Sequence, residues 1–438
     1  MKITPERRVY ILGVTLCAAL TTSSRNFGDR GGPYFMASLT LAGIAYLLAI
    51  REFFATPVFS RRVVVVGFVL AAVWHVAFLR LPAGADDDIH RYVWDGRLQR
   101  LGYNPYVVIP SDPAFAALHT SETRTLNNPD LPSPYPPGAE LFFRAVTAIH
   151  ESTFAMKVAF VGCEVAIVFL LLDLLRRNGQ EAQLVLVFAW NPLLAIEVAG
   201  SGHIDIVGAL FLVVSVAALV RRWRATAAVA LGLAIAVKFL PVVVLPLYWK
   251  RVRIRDAALA IIIVGLLYVP FLNRSFFNHG RIPIGSLATY VQTFRFNGPV
   301  FAALDHVVPP QRLVGLAVLA GLVIATWLRS ANPEWSPNQF AWPMAASLLC
   351  APAVFPWYLL WLLPFVTSAS TLLIIIWSVS IGLTYVQWHL RALGRPWGAL
   401  PVWIMLLEYG CVAIAAAIMA LRPASRSDAL QSSVDPAE

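Results

Sequence analysis

The segment Asp86-Asp87-Asp88-Ile89-His90-Arg91-Tyr92-Val93-Trp94-Asp95-Gly96-Arg97 follows directly on the apolar run 63–80. Its charge density is far above the chain's average. Of 438 residues, 58% are hydrophobic and 13% charged, whereas a soluble domain carries roughly 25% charged residues. This composition cannot clothe a large water-soluble enzyme, and it is too apolar for a disordered chain. Residues 63–80 approach the roughly 20 residues that cross a bilayer core, so the charged block marks where the chain leaves the membrane.

Working outward, further apolar runs lie at about 9–24, 34–50, 155–175, 183–200, 204–220, 256–272, 311–328, 371–386 and 401–421. Two more, 225–249 and 339–369, carry prolines near their middles (Pro241; Pro352 and Pro356), where a helix must break. Counting the second of these as two short spans predicts an all-α polytopic membrane protein of about 12–14 membrane helices. The first run follows Lys2, Arg7 and Arg8 without a small-residue cleavage site and reads as a retained helix.

Cations set the orientation. With the N-terminus cytoplasmic, Arg51/Arg61/Arg62, Arg176/Arg177 and Arg221/Arg222/Arg224 all fall inside. Lys250, Arg251, Arg253 and Arg255 join them if 225–249 is a re-entrant hairpin turning at Lys238-Phe239-Leu240-Pro241. The formal charge of +10, from 34 Lys+Arg against 24 Asp+Glu, is then loop topology and not a nucleic-acid footprint. One polytopic domain, 1–422, is expected, with two long polar segments outside, 81–154 and 273–310, and a disordered cytoplasmic tail, 423–438. Cys17, Cys163, Cys350 and Cys411 sit in apolar runs and read as small buried hydrophobes, with neither a disulfide framework nor a metal pair.

If the opening segment is helical from Asp88, then Asp88, Arg91, Tyr92 and Asp95 share one face. The bland reading is a helix cap on a solvated loop, but a cap needs one Asp and here are three. Crowded carboxylates raise one another's pKa, which suits a general base or a metal ligand. The same outer segment continues through Gly102-Tyr103-Asn104-Pro105-Tyr106 and Ser133-Pro134-Tyr135-Pro136-Pro137-Gly138. That turn chemistry fits a folded lid or cavity wall better than a linker.

A second constellation, Trp190-Asn191-Pro192, Glu197 and Gly200-Ser201-Gly202-His203-Ile204-Asp205, closes another apolar run. Ionisable residues at a membrane boundary face a cavity or a partner. His203 and Asp205 are therefore either a helix connection with Asp205 as its N-cap, or contacts to a polar substrate. Lys238 either snorkels to the interface or presents a cation to a lipid-linked phosphate. In the second outer segment His279, Arg281 and Arg295 offer anion contacts, with Tyr290, Phe294 and Phe296 as aromatic surface. Phe355-Pro356-Trp357-Tyr358 with Trp361 reads as an interfacial aromatic belt. Asn273-Arg274-Ser275 is a glycosylation pattern, relevant only in a eukaryotic secretory route. No phosphate-binding glycine loop, zinc-protease or serine-hydrolase motif is present.

Taken in order, Asp87-Asp88-Ile89-His90-Arg91-Tyr92-Val93-Trp94-Asp95-Gly96-Arg97, Gly102-Tyr103-Asn104-Pro105-Tyr106, Tyr135-Pro136-Pro137, Trp190-Asn191-Pro192, Gly202-His203-Ile204-Asp205, Lys238-Phe239-Leu240-Pro241 and Pro356-Trp357-Tyr358-Leu359-Leu360-Trp361 resemble bacterial polyprenol-phosphate-mannose-dependent mannosyltransferases of the GT-C class. The resemblance spans roughly residues 85–365. It implies a GT-C-like fold with a catalytic loop after the third span, and an active site on the outer face of the bacterial cytoplasmic membrane. It departs from the family at Ile204, where relatives often have Asn, and at His90, where Tyr is common. The implied reaction transfers a hexose, mannose by the resemblance, from a polyprenyl-phosphate donor to an acceptor hydroxyl with inversion. The acceptor is a glycan, lipid or protein; the other partner is membrane lipid, and nucleic acid is not expected. Asp88 is the leading catalytic base and Asp87 the second. Asp86, Arg91, Tyr92, Asp95, His203, Asp205, Lys238 and Arg295 are candidate substrate contacts. No cofactor is required, although a divalent metal could sit beside Asp86, Asp87 and Asp88. Alternatives are a transporter or polymerase of lipid-linked glycans, or a non-catalytic membrane scaffold. A transporter should place its ionisable residues near the bilayer midplane.

Overall fold

The computed structural model describes residues 3–84, 87–272, 277, 283–331, 336–398 and 400–421. Among them the chain is helical, and one isolated bridge joins Phe296 to Ala353. This is the all-α, polytopic fold that the hydropathy predicts. Seven helices among the described residues are long and apolar enough to cross a membrane. An eighth span results if Ala182–Ala189 and Leu194–Gly200, bent by 64°, form one unit. The bend follows Asn191-Pro192, where the proline cannot continue the helix and the Asn191 side chain instead accepts from the backbone N–H of Leu193.

The helices are α1 (Pro5–Arg25), α2 (Pro33–Ala55), α3 (Arg61–Leu79), α4 (Ile89–Arg100), α5 (Pro137–Ile149) and α6 (Thr153–Arg177). They continue as α7 (Val185–Ala189), α8 (Asp205–Val220), α9 (Arg224–Val237), α10 (Ile254–Tyr268), α11 (Leu287–Thr293) and α12 (Pro299–Leu304). The last five are α13 (Pro310–Ala331), α14 (Ala341–Leu349), α15 (Leu372–Ser380), α16 (Val386–Ala392) and α17 (Val402–Leu421). The run 225–249 divides where its hairpin was expected. After α9, Lys238 is extended, and a short 3-10 segment covers Leu240–Tyr248. In the 339–369 run, 3-10 segments likewise follow Pro356 and Leu362.

The segment between α3 and α6 is a folded unit. Helix α4 is polar in sequence, yet ten of its twelve residues are buried, so its charges must find partners within the protein. Arg97 and Arg100, in its last turn, reach Glu151 at 2.5 and 2.8 Å. Helix α5 lies so close that a Cβ on Gly96 would come within 2.5 Å of the Phe143 carbonyl oxygen. On the other side Trp94 stacks on His119 at 4.0 Å, and Leu98, Val108 and Leu126 close a small apolar cluster. Leu126 of that cluster begins an irregular stretch, Leu126–Pro136 (the lid), which is tied to α4 through the Leu131 carbonyl and to α5 through the Ser133 hydroxyl.

Candidate active site

A cavity of about 350 Å³ is walled on one side by that lid, within the usual range for small-molecule sites. Its charged walls are Asp88, Arg91, Lys238 and Arg391, and its aromatic walls include Tyr135, Tyr290, Phe294, Trp357, Tyr358 and Trp388. Five parts of the chain thus meet at one chamber: the start of α4, the lid, the break after α9, the stretch from Ser286 to Phe294, and the stretch from Phe355 to Trp397.

Asp88 stands at the N-cap position of α4, yet its side chain makes no capping bond. The capping reading is therefore corrected. The carboxylate turns to the cavity and accepts from Asn127 Nδ2 at 2.6 Å. Its neighbour has the opposite surroundings. Asp87 is buried, one oxygen receiving Arg30 Nη2 at 2.6 Å and the other the Gly84 N–H at 2.7 Å. The face shared by Asp88, Arg91, Tyr92 and Asp95 divides in the same way. Arg91 lines the cavity, binds Asp95 through Nε at 3.0 Å and holds the lid through the Leu131 carbonyl at 2.9 Å. Tyr92 is fully buried, stacked on Phe143 at 4.4 Å, and Asp95 lies behind Arg91 with no exposed surface. Asp86 lies outside the described residues, as do His279, Arg281 and Asn273.

Behind Asp95 sits Glu140 of α5, also fully buried. It accepts from Ser133 Oγ at 2.5 Å and from Gln99 Nε2 at 2.8 Å. Burial, and then the Asp95 charge, push the Glu140 carboxyl well above the usual range. Burial also raises Asp95, against the lowering influence of Arg91. The pair therefore favours holding a proton between them, one layer beneath the cavity wall.

Asp205 is not an N-cap: Ile204 holds that place and Asp205 begins α8. Both its oxygens receive Lys238 Nζ, at 2.8 and 2.9 Å, and Oδ1 also receives Trp361 Nε1 at 2.7 Å. Lys238 thus does not snorkel to water. It is anchored by a buried carboxylate and lies 4.1 Å from the Tyr358 ring centroid, while still lining the chamber. His203 is buried one layer back, bonded to Glu197 at 2.9 Å and stacked on Trp357 at 4.0 Å. The presumed aromatic belt is corrected as well: Trp357 and Tyr358 face the cavity and Trp361 is fully buried. Ring stacking continues from Trp357 to Phe355, and from Phe355 to Phe296 and on to Trp397. Arg295 stays apart, donating to the carbonyls of Gln292 and Phe294.

The sequence reading passed over Arg30, Asn127, Glu140 and Arg391. Arg30 and Arg391 did carry a signal. In the cation-based topology both fall on the outer side, against the general bias of the arginines. Asn127 and Glu140 carried none: Asn127 meets Asp88 across 39 residues, and Glu140 meets Gln99 across 41 besides its nearer partner Ser133. Among the described residues no three His, Cys, Asp or Glu side chains converge as a metal site.

The sequence profile of the alpha-(1->6)-mannopyranosyltransferase family, N-terminal domain, matches residues 12–252, more than half of the chain. Among solved structures, the chain is similar to ArnT from Cupriavidus metallidurans bound to undecaprenyl phosphate, with 17% identity over 83% of this chain and a TM-score of 0.44. This chain spans 64% of that chain's length. No curated protein matches significantly.

Proposed function

The chain belongs to the alpha-(1->6)-mannopyranosyltransferase family, and we propose that it transfers mannose from a polyprenyl-phosphate donor to an acceptor hydroxyl at the Asp88 cavity, on the extracytoplasmic face. The observation that carries this reading is the pairing of an accessible carboxylate with cations in one aromatic-walled chamber: Asp88 opens onto the space lined by Arg91, Lys238 and Arg391.

The acceptor oxygen attacks the anomeric carbon while Asp88 takes its proton. The bond from that carbon to the phosphate oxygen breaks, and the electron pair leaves with the lipid phosphate. The departing anion needs oriented positive charge in a site shielded from water. Lys238 is held in place by Asp205 and Arg91 by Asp95, so both are preorganised. Arg391 is the third cation of the wall. One in-line displacement inverts the anomeric carbon. A lipid-phosphate leaving group also makes a nucleotide site unnecessary. Asp88 is the base in this scheme. Asp87, whose two oxygens are engaged by Arg30 and Gly84, positions it.

The test is transfer by the purified protein from a panel of polyprenyl-phosphate sugars, wild type against Asp88→Asn. Mannosyl transfer by the wild type, lost in the folded variant, supports the reading. Full activity in Asp88→Asn removes the base assignment. Movement of intact lipid-linked sugar across the bilayer without transfer favours a transporter.

A further inference from the structure

A second cavity, of about 480 Å³, adjoins the first and shares Trp388 and Arg391 with it. It sits where α2 and α3, both long and apolar enough to cross a membrane, reach their ends. Its walls are the turn from α1 into α2, Leu81–Gly84 after α3, and the end of α16. We infer that this chamber holds the phosphate headgroup of an anionic bilayer phospholipid, bound as a resident lipid and not as a reactant, with an acyl chain laid along the neighbouring groove between α1 and α2. The inference is independent of the transfer reading.

Charge points to an anion. Three guanidiniums, of Arg25, Arg30 and Arg391, line the chamber against one carboxylate, Asp29. That carboxylate is already engaged by His389 Nδ1 at 2.7 Å. Arg30 is satisfied from within, by Asp87 and by Ser201 Oγ, each at 2.6 Å. Arg25 makes no ion pair among the described residues. A cation in the last turn of α1 is favourable on its own, but that role calls for no chamber and no further arginines beside it. Like charges gathered in one hollow repel, and a bound phosphate turns that repulsion into charge-assisted hydrogen bonds.

The rest of the wall points to a lipid. Phe27, Leu81, Pro82, Ala83, Trp388 and Ala392 are apolar. A free phosphate uses none of that surface, whereas the glycerol and ester part of a phospholipid buries against it. Basic pockets between membrane helices at headgroup depth suit anionic lipids for the same reason.

The acyl chain has a path. A shallow groove of about 500 Å³ runs between α1 and α2, with Thr22, Asn26, Tyr34 and Leu41 among its walls. Thr22 is about one helical turn from Arg25, so the groove starts beside the cation. On α2, Tyr34, Leu41, Ile44 and Leu48 are exposed and share one face at steps of three, four and seven residues. That outward apolar stripe continues the groove along the membrane helix.

The test counts lipids retained by the purified chain, using native mass spectrometry after exposure to micelles doped with dioleoyl-phosphatidylglycerol or dioleoyl-phosphatidylcholine. Arg25 is exposed, and a Cβ on Gly28, which lines the chamber, meets no heavy atom within 4 Å. Arg25→Gln and Gly28→Asp are therefore expected to keep the wild-type unfolding temperature. Wild type should retain phosphatidylglycerol in preference to phosphatidylcholine. Arg25→Gln should weaken that retention about tenfold, the worth of one hydrogen bond to a charged group. Gly28→Asp, which sets a carboxylate in the chamber, should weaken it at least as much, while Arg25→Lys and Gly28→Ala keep it. Equal retention of the two lipids overturns the inference, as does unchanged phosphatidylglycerol retention in Arg25→Gln and Gly28→Asp. Displacement of phosphatidylglycerol by an equal amount of glycerol phosphate overturns it in favour of a site for a free phosphate. Displacement by an equal amount of polyprenyl phosphate overturns it in favour of a second site for that lipid.

Discussion

Asp87 and Arg30 form a buried ion pair, with Oδ1 and Nη2 2.6 Å apart and side chains 3% and 8% exposed. Asp88, the next residue, opens onto the cavity. Two adjacent and chemically identical side chains thus hold different positions because a single cation, 57 residues upstream, claims only one of them.

Asp88→Asn is expected to fold like the wild type and to lose about 10²–10⁴-fold in kcat, the usual worth of a general base. Binding of polyprenyl phosphate should persist. Asp87→Asn should act on stability first, because removing one partner of a buried pair leaves an uncompensated charge and costs about 3–5 kcal/mol. The double variant Asp87→Asn/Arg30→Gln should regain part of that loss. Thermal unfolding in detergent, measured beside initial rates, separates the two carboxylates. Equal kinetic and stability losses in both single variants would contradict the assignment.

Lys238→Met should be poorly stable, since it strands the carboxylate of Asp205, a residue with no exposed surface. Adding Asp205→Asn should restore the unfolding temperature but not the transfer rate, because the leaving phosphate still lacks its cation. Recovery of both together would reduce Lys238 to a structural role.

The carboxyl pair beneath the lid predicts a pH dependence of stability. Burial and Asp95 raise Glu140, so the folded state keeps a proton that an unfolded Glu releases near its ordinary pKa of about 4.3. The associated stabilisation is complete below that value and is lost as pH rises through the raised folded pKa. Unfolding temperature should therefore fall with increasing pH in this window. Glu140→Gln should flatten the slope while keeping the bond from Ser133. An unchanged slope in Glu140→Gln would place the responsible group elsewhere.

Gly208 packs against Trp361, and a Cβ at that position would lie 1.9 Å from the indole ring. Gly208→Ala must displace Trp361 and with it the bond from Nε1 to Asp205. A loss of about 1–3 kcal/mol is expected from overpacking, together with a lower transfer rate as the Lys238 anchor shifts. Denaturation midpoints and kcat of the same preparation test both halves.

Much of this architecture was legible beforehand. Scarcity of charge required a membrane fold, and proline positions marked the breaks at Asn191-Pro192 and after Lys238, because proline has no amide hydrogen to continue a helix. The polar block at Asp87–Arg97 stood out as a candidate site because charge is costly near lipid. Several local readings failed for one shared reason. Asp88 was a plausible cap, Lys238 a plausible snorkel and Trp357 a plausible belt residue. Each is a reasonable choice for a helix considered alone, and each was overruled by a partner from another part of the chain.

By itself, the sequence determined a helical membrane protein, the approximate helix ends and the segments rich enough in polar groups to hold a site. Those properties follow from solvent transfer and backbone hydrogen bonding, which act locally. Only the tertiary structure decided that Asp87 is neutralised by Arg30 and Asp88 is not, that Lys238 belongs to Asp205, and that Arg391 stands between two chambers. Pairing of charges in a buried site depends on distances of about 3 Å between groups far apart in the chain, and no local pattern encodes such a distance.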